Sequence, residues 1–268
     1  MVGGPWTGPW VGTKDKRRRA TISAMSDELL VVRCGLVPYD EALVAQRWLL
    51  DARQDGSIPD VLLLLEHPPV YTRGRRSKPE ELPMAIEWYG LQGIEVRDTD
   101  RGGQVTYHGP GQLVAYPIVD LAPYGDDVHE YVRRLEQVAI RSLGEYEVEA
   151  GMIEGLTGVW TEGERPGSAA GSLEARKIGS IGVHVSRGIT THGLAINVNN
   201  DLKPFEWIVP CGIEGCQVTS LSREKGEEQS LEAFAGAVAD NFADVYERVP
   251  VATSPDALGL DNARLGVA

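Results

Sequence analysis

The sequence predicts an α+β protein, a sheet flanked by helices, and three observations carry that expectation. Apolar runs of strand length stand at residues 61–65 and 113–119. Segments 175–185 and 188–198 are separated only by Ser186 and Arg187, and with Leu194, Ile196 and Val198 alternating they read as an antiparallel hairpin with one buried face. Residues 128–143 place apolar side chains at 128, 131, 132, 135, 138, 139 and 143, close to the helical period, with charges opposite.

The elements follow in order. Residues 1–27 combine Pro-Trp pairs with a Lys/Arg cluster at 14–19 and lack apolar periodicity, so a disordered extension is expected there. A first strand is expected at 29–32, and a helix at 38–54 with Asp40 and Glu41 at its positive end. The strand at 61–65 runs into Pro68-Pro69, which should break regular structure and deliver a basic loop. A short helix at 80–89 and a strand at 94–97 lead into residues 101–120, where Gly102, Gly103, Gly109 and Gly111 crowd what otherwise reads as a strand pair. After the 128–143 helix come a strand at 157–161, a breaker-rich loop at 163–174, the hairpin, and a last helix capped by Ser230 and closed by Pro250. One domain is expected at 28–249, followed by a tail at 250–268.

Composition bounds the function. At 268 residues and 42% hydrophobic content the chain can bury a real core. It has no run of about 18 apolar residues, so no membrane-spanning helix is expected. Cys34, Cys211 and Cys216 are too few for a disulfide framework, and no apolar signal core follows the basic cluster, which fits a reducing, cytoplasmic setting. A net charge of −13 argues against binding nucleic acid through the whole surface. An acidic partner would need a local basic patch, for which Arg73, Arg75, Arg76 and Lys78 are the candidates.

Cys211, between Pro210 and Gly212, is the best placed nucleophile, on a tight turn that would expose its sulfur with backbone N–H groups nearby. A lone cysteine is also a small buried hydrophobe. Lys177 stands in a small, apolar strand, either opening into a cavity or guarding a sheet edge. His108 and His192 read equally as hydrogen-bonded histidines at strand ends. Cys211 and Cys216 lack the ligand spacing of structural zinc, so no metal is expected.

The segments EHPPVYT at 66–72, RGGQVTYHGPGQLVAYPIVDL at 101–121, KIGSIGVHV at 177–185, THGLAINV at 191–198 and PCGI at 210–213 together resemble the lipoyl(octanoyl) transferase family of lipoate biosynthesis, over about residues 30–246. The resemblance implies the mixed, largely antiparallel sheet of the lipoate and biotin protein ligase superfamily. It also implies transfer of an octanoyl group from octanoyl-acyl carrier protein to a lysine of apo lipoyl domains, in 2-oxoacid dehydrogenase complexes and the glycine cleavage H protein. Carried over by motif, Cys211 forms the acyl-enzyme and Lys177 partners it, with no cofactor. The substrate would be lined by Arg101, Gly102, Gly103, Gln104, Val105, Thr106, Tyr107 and His108, by Ser180, Ile181 and Gly182, and by His192, Gly193, Leu194 and Ala195. Two alternatives stand beside this one: an ATP-dependent lipoate or biotin protein ligase on the same scaffold, and a noncatalytic binder of lipoyl domains or acyl carriers.

Overall fold

A computed structural model describes residues 27–161, 175–213 and 215–260. The extension expected at 1–27, but for Asp27, the loop at 163–174 and residues 261–268 of the expected tail lie outside these residues. Strands β1 (Glu28–Leu36) and β2 (Asp60–Glu66) flank helix α1 (Tyr39–Gln54) in the chain. They are followed by β3 (Val70–Arg73), α2 (Ile86–Leu91), β4 (Glu95–Asp98), β5 (Val105–His108), β6 (Gln112–Ile118) and α3 (Val128–Gly144). The hairpin of β9 (Arg176–Ser186) and β10 (Ile189–Asn197) comes after β7 (Ala150–Ile153) and β8 (Leu156–Thr161). Helices α4 (Leu221–Lys225) and α5 (Leu231–Tyr246) precede β11 (Val249–Thr253).

The main sheet has eight strands in the order β11-β1-β2-β6-β10-β9-β8-β7, and a small sheet has three in the order β4-β3-β5. In the main sheet only the β11–β1 and β1–β2 pairs are parallel, so it is mixed and largely antiparallel, with helices on its faces. The run in β2 is apolar throughout because both faces are covered. Leu62 and Leu64 join Tyr131, Leu135, Phe234 and Phe242 of α3 and α5 in one cluster, while Val61, Leu63 and Leu65 meet Ala42, Ala45 and Leu49 of α1 in another.

Several expectations change. The hairpin strand β10 is buried at every position rather than on one face, because it lies inside the sheet between β6 and β9. Pro68-Pro69 ends β2, yet Val70–Arg73 form the central strand of the small sheet. The expected helix at 80–89 splits into a 3-10 turn at Pro79–Glu81 and α2, with Pro83, which has no N–H to continue a helix, between them. Helix α5 ends at Tyr246, where Glu247 turns left-handed, and Pro250 sits in the edge strand β11, across the boundary expected at 249. Strands β5 and β6 do not pair with each other: β5 bonds to β3, and β6 lies between β2 and β10.

One mismatch in strand length positions the site. Strand β8 pairs with β9 only as far as Gly179, so residues 180–186 leave their outer edge without a ladder partner in β8. The glycine segment closes over that edge, with Gly102 N–H donating to Val183 O at 2.9 Å.

Candidate active site

A cavity of about 660 Å3 opens beside this edge. It is lined by residues 101–104, Thr106 and His108, by 180–182, by 192–195 and by Cys211, so fourteen of the seventeen residues singled out in the sequence meet at one place. The other three do not line it. Val105 and Tyr107 alternate to the opposite face of β5 and pack with Tyr71, Phe205 and Ile208 in the core of the small sheet. Lys177 stands one step behind the cavity wall: its Nζ donates to the carbonyl of Thr157, at 2.7 Å, and Thr157 lines the cavity.

Cys211 sits in the 3-10 turn Pro210–Gly212 with φ 56° and ψ 21°, a left-handed conformation that costs an L-residue about 1 kcal/mol or more. The side chain is half-buried and free of any disulfide. Gly212 has no side chain to spare, because the amide of Gln104 occupies the place a Cβ would take. The N–H groups of Gly212 and Ile213 are both committed to closing the turn, to Val209 O and Pro210 O at 3.1 Å. Backbone donors directly after the sulfur are therefore not the ready oxyanion site that the sequence suggested.

The segment that follows the turn is stitched to the lysine strand. Lys177 N–H donates to Gln217 O at 2.8 Å, and Thr219 N–H donates to Lys177 O at 3.0 Å. Trp160 lies beneath the ammonium, 4.5 Å from Nζ to ring centroid. Cys216 hangs from this same segment, its thiol pushed up to about 11 by burial while Lys177 pulls it down.

A second wall is built of buried rings and one buried guanidinium. Arg101 donates to Thr72 O at 2.6 Å, to Thr72 Oγ1 at 2.7 Å, to Gln104 O at 2.8 Å and to Gly102 O at 3.0 Å. All of these acceptors are neutral, and burial lowers the guanidinium from its ordinary value. Behind it, His67 bonds Val37 O at 2.7 Å and the Tyr116 hydroxyl at 2.8 Å, and Tyr39 stacks on His108. Burial holds His67 down to about 4 and His108 well below the usual histidine range, so both rings are neutral at pH 7. His192 also has φ 56°, and its ring meets the Asp100 carboxylate at 2.8 Å through Nε2. Burial lowers His192 in spite of that carboxylate, whereas Asp100 is held down to about 2, first by its bond to His192. A neutral His192 that donates from Nε2 keeps Nδ1 as an acceptor. His192 Nδ1 and Thr106 Oγ1 are without a protein partner among the described residues, and both residues line the cavity.

The basic stretch divides. Arg73 is bound to Asp98 at 2.8 Å across the small sheet, while Arg76 and Lys78 line the cavity mouth. The lining also holds Val128, His129, Val132 and Arg133 of α3, and Gly155 with Leu156 and Thr157 at the start of β8, none of which was legible in the sequence. These residues had read as the ordinary faces of a helix and a strand end. Tyr116 was hidden inside an apolar run. Among the described residues no group of three or more His, Cys, Asp or Glu is placed to hold a metal ion, and no helix is long and apolar enough to cross a membrane.

Residues 38–243 match the model of the lipoyl protein ligase A/B catalytic domain. The chain is 46% identical over 210 residues to an octanoyltransferase of Acidobacterium capsulatum, covering 76% of this chain and 83% of that protein. It is 47% identical over 230 residues to an octanoyltransferase of Mycobacterium marinum, covering 85% and 92%. A bipartite lipoate protein ligase from Thermoplasma acidophilum superposes with a TM-score of 0.66 at 15% identity, over 90% of this chain and 97% of that one. A lipoate-protein ligase A bound with ATP gives 0.62 at 15% identity, over 91% and 100%. At such identities the two structures speak for the fold alone.

Proposed function

The chain belongs to the lipoyl protein ligase A/B catalytic domain family, among the octanoyltransferases, and on that premise we propose that it moves an octanoyl group from acyl carrier protein to the lysine ε-amine of apo lipoyl domains, through a thioester on Cys211. The observation that carries this reading is the half-buried Cys211 on a strained turn at the wall of the cavity, with the strand of Lys177 bonded to the segment that follows it.

The chemistry runs in two balanced steps. The Cys211 thiolate attacks the carrier thioester, the new C–S bond forms, and the phosphopantetheine thiol leaves with a proton. The lysine amine of the acceptor then attacks the acyl-enzyme, giving up a proton as the amide forms and Cys211 is released. An ammonium near the sulfur favours the thiolate, and the same group can hand over the first proton and take back the second. Lys177 fits that role from the place it holds on the carbonyl of Thr157, a residue of the cavity wall. The Thr106 hydroxyl and the Gln104 amide are better placed than the turn's own N–H groups to meet the carbonyl oxygen, since both line the cavity and Gln104 lies against Gly212. The donor is already an activated thioester, so no nucleotide is needed.

Leu194, Ile181 and Val114 give the cavity apolar wall for the acyl tail, whose methylenes each contribute up to about 0.8 kcal/mol on burial. Arg76 and Lys78 at the mouth suit the phosphate and acidic surface of a carrier, against the chain's own net charge of −13. The test is transfer from octanoyl-carrier to an apo lipoyl domain with no ATP added, read as octanoylated domain. Transfer that requires ATP and free octanoate, with release of pyrophosphate, would contradict the proposal in favour of a ligase.

A further inference from the structure

The peptide group between Thr157 and Gly158 joins two side chains that lie on different elements. Its carbonyl accepts the Nζ of Lys177 at 2.7 Å, and its N–H donates to Oε1 of Glu136 at 3.0 Å. Glu136, on α3, is completely buried, and its second oxygen accepts Arg133 at 2.7 Å. We propose that Glu136 is a positioning residue for Lys177, acting through this one peptide group.

A buried carboxylate is costly unless each oxygen is bonded, and helix α3 faces the sheet elsewhere with apolar side chains. Here one oxygen is held by Arg133 at the cavity and the other fixes a peptide plane at the start of β8. Neither Thr157 nor Gly158 has a ladder partner in β7 or β9, so the sheet alone does not set the orientation of that plane. A negative acceptor on the N–H both aims the carbonyl and strengthens it as a partner for an ammonium. Gly158 completes the arrangement: with φ +123°, a Cβ there would lie 2.6 Å from Lys177 Nζ and 2.6 Å from Gly179 O. Trp160 closes the remaining side. The lysine is thus held in a socket whose rear wall is anchored by Glu136.

This inference rests on the reading that Lys177 serves the transfer, and the experiment separates the two. Octanoyl transfer, and the rate of Cys211 alkylation by iodoacetamide as a function of pH, followed on the Cys211 peptide, are measured for wild type, E136Q, K177A and the double variant. E136Q keeps the size and an acceptor but removes the charge. It is expected to keep its fold, to lower transfer roughly tenfold and to move the alkylation profile to higher pH. In the K177A background it should change either rate by less than about twofold, since a residue acting through Lys177 has nothing further to lose. K177A inactive beside a fully active E136Q, or losses that add in full, would overturn this inference alone. K177A with wild-type transfer would overturn the role of Lys177 and this inference with it. A second measurement does not depend on E136Q folding: K177A should shift the amide resonance of Gly158, the other end of the same peptide group, and an unmoved resonance would count against the link.

Discussion

The two walls of the cavity are built on opposite principles. One is a set of buried rings and a guanidinium whose polar atoms are mostly bonded: Arg101 on Thr72 and Gln104, His67 between Val37 and Tyr116, His192 on Asp100. The other is a short turn carrying Cys211 in a left-handed conformation, half-exposed, with the segment after it tied to β9 by backbone bonds at Gln217 and Thr219. The difference teaches where stability and chemistry reside. The polar wall shapes the cavity and resists change, whereas the turn holds the proposed nucleophile in a conformation that a more stable chain would avoid.

Substitutions on the turn should therefore remove activity and spare the fold. Cys211→Ser is expected to lower octanoyl transfer by roughly three orders of magnitude or more with little change in melting temperature. Activity close to wild type would move the nucleophile elsewhere. On the other wall, Arg101→Met strands the acceptors on Thr72 and Gln104 in a buried place and should cost about 2–3 kcal/mol in denaturant unfolding. A loss no larger than that of Cys211→Ser would erase the contrast.

Acid should find the polar wall first. His67, His108 and His192 are all held below their ordinary values in the fold, so the unfolded chain binds more protons as pH falls below about 6.5. Their contribution is complete above that pH and is lost as pH falls toward the folded values, for His67 toward about 4, at about 1.4 kcal/mol per pH unit for each histidine in that window. Calorimetry from pH 7 to 4.5 should show the melting temperature falling, and less steeply in a His67→Gln variant. A smaller effect, of opposite sign, belongs to the turn. Cys211→Gly should be inactive yet no less stable than wild type, and more stable by up to about 1 kcal/mol, because the relief of left-handed strain outweighs the freedom that glycine adds to the unfolded chain.

Much of this was legible in the sequence, for identifiable reasons. Periodicity marked α1, α3 and α5, and the two-residue link marked the β9–β10 hairpin, because those signals are local. The glycine segment, the hairpin and Cys211 converge on one cavity as the motifs suggested. What was not legible depends on pairings far apart in the chain. That β5 and β6 belong to different sheets cannot be read from two adjacent strand-like runs. Val105 and Tyr107 sat within a functional motif, but strand alternation turns them into the small core. Glu136 looked like one more charge on an amphipathic helix, and only its contact with Gly158, 22 residues away, sets it apart.

The central claim is that Cys211 carries the acyl group between two partners. Incubating the protein with octanoyl-acyl carrier protein alone and mapping the modified peptide by mass spectrometry tests it most directly. The account requires one octanoyl group on the peptide containing Cys211, lost when apo lipoyl domain is added. An unmodified Cys211 under conditions where transfer proceeds, or an octanoyl group that stays on the protein after the acceptor is added, would contradict it.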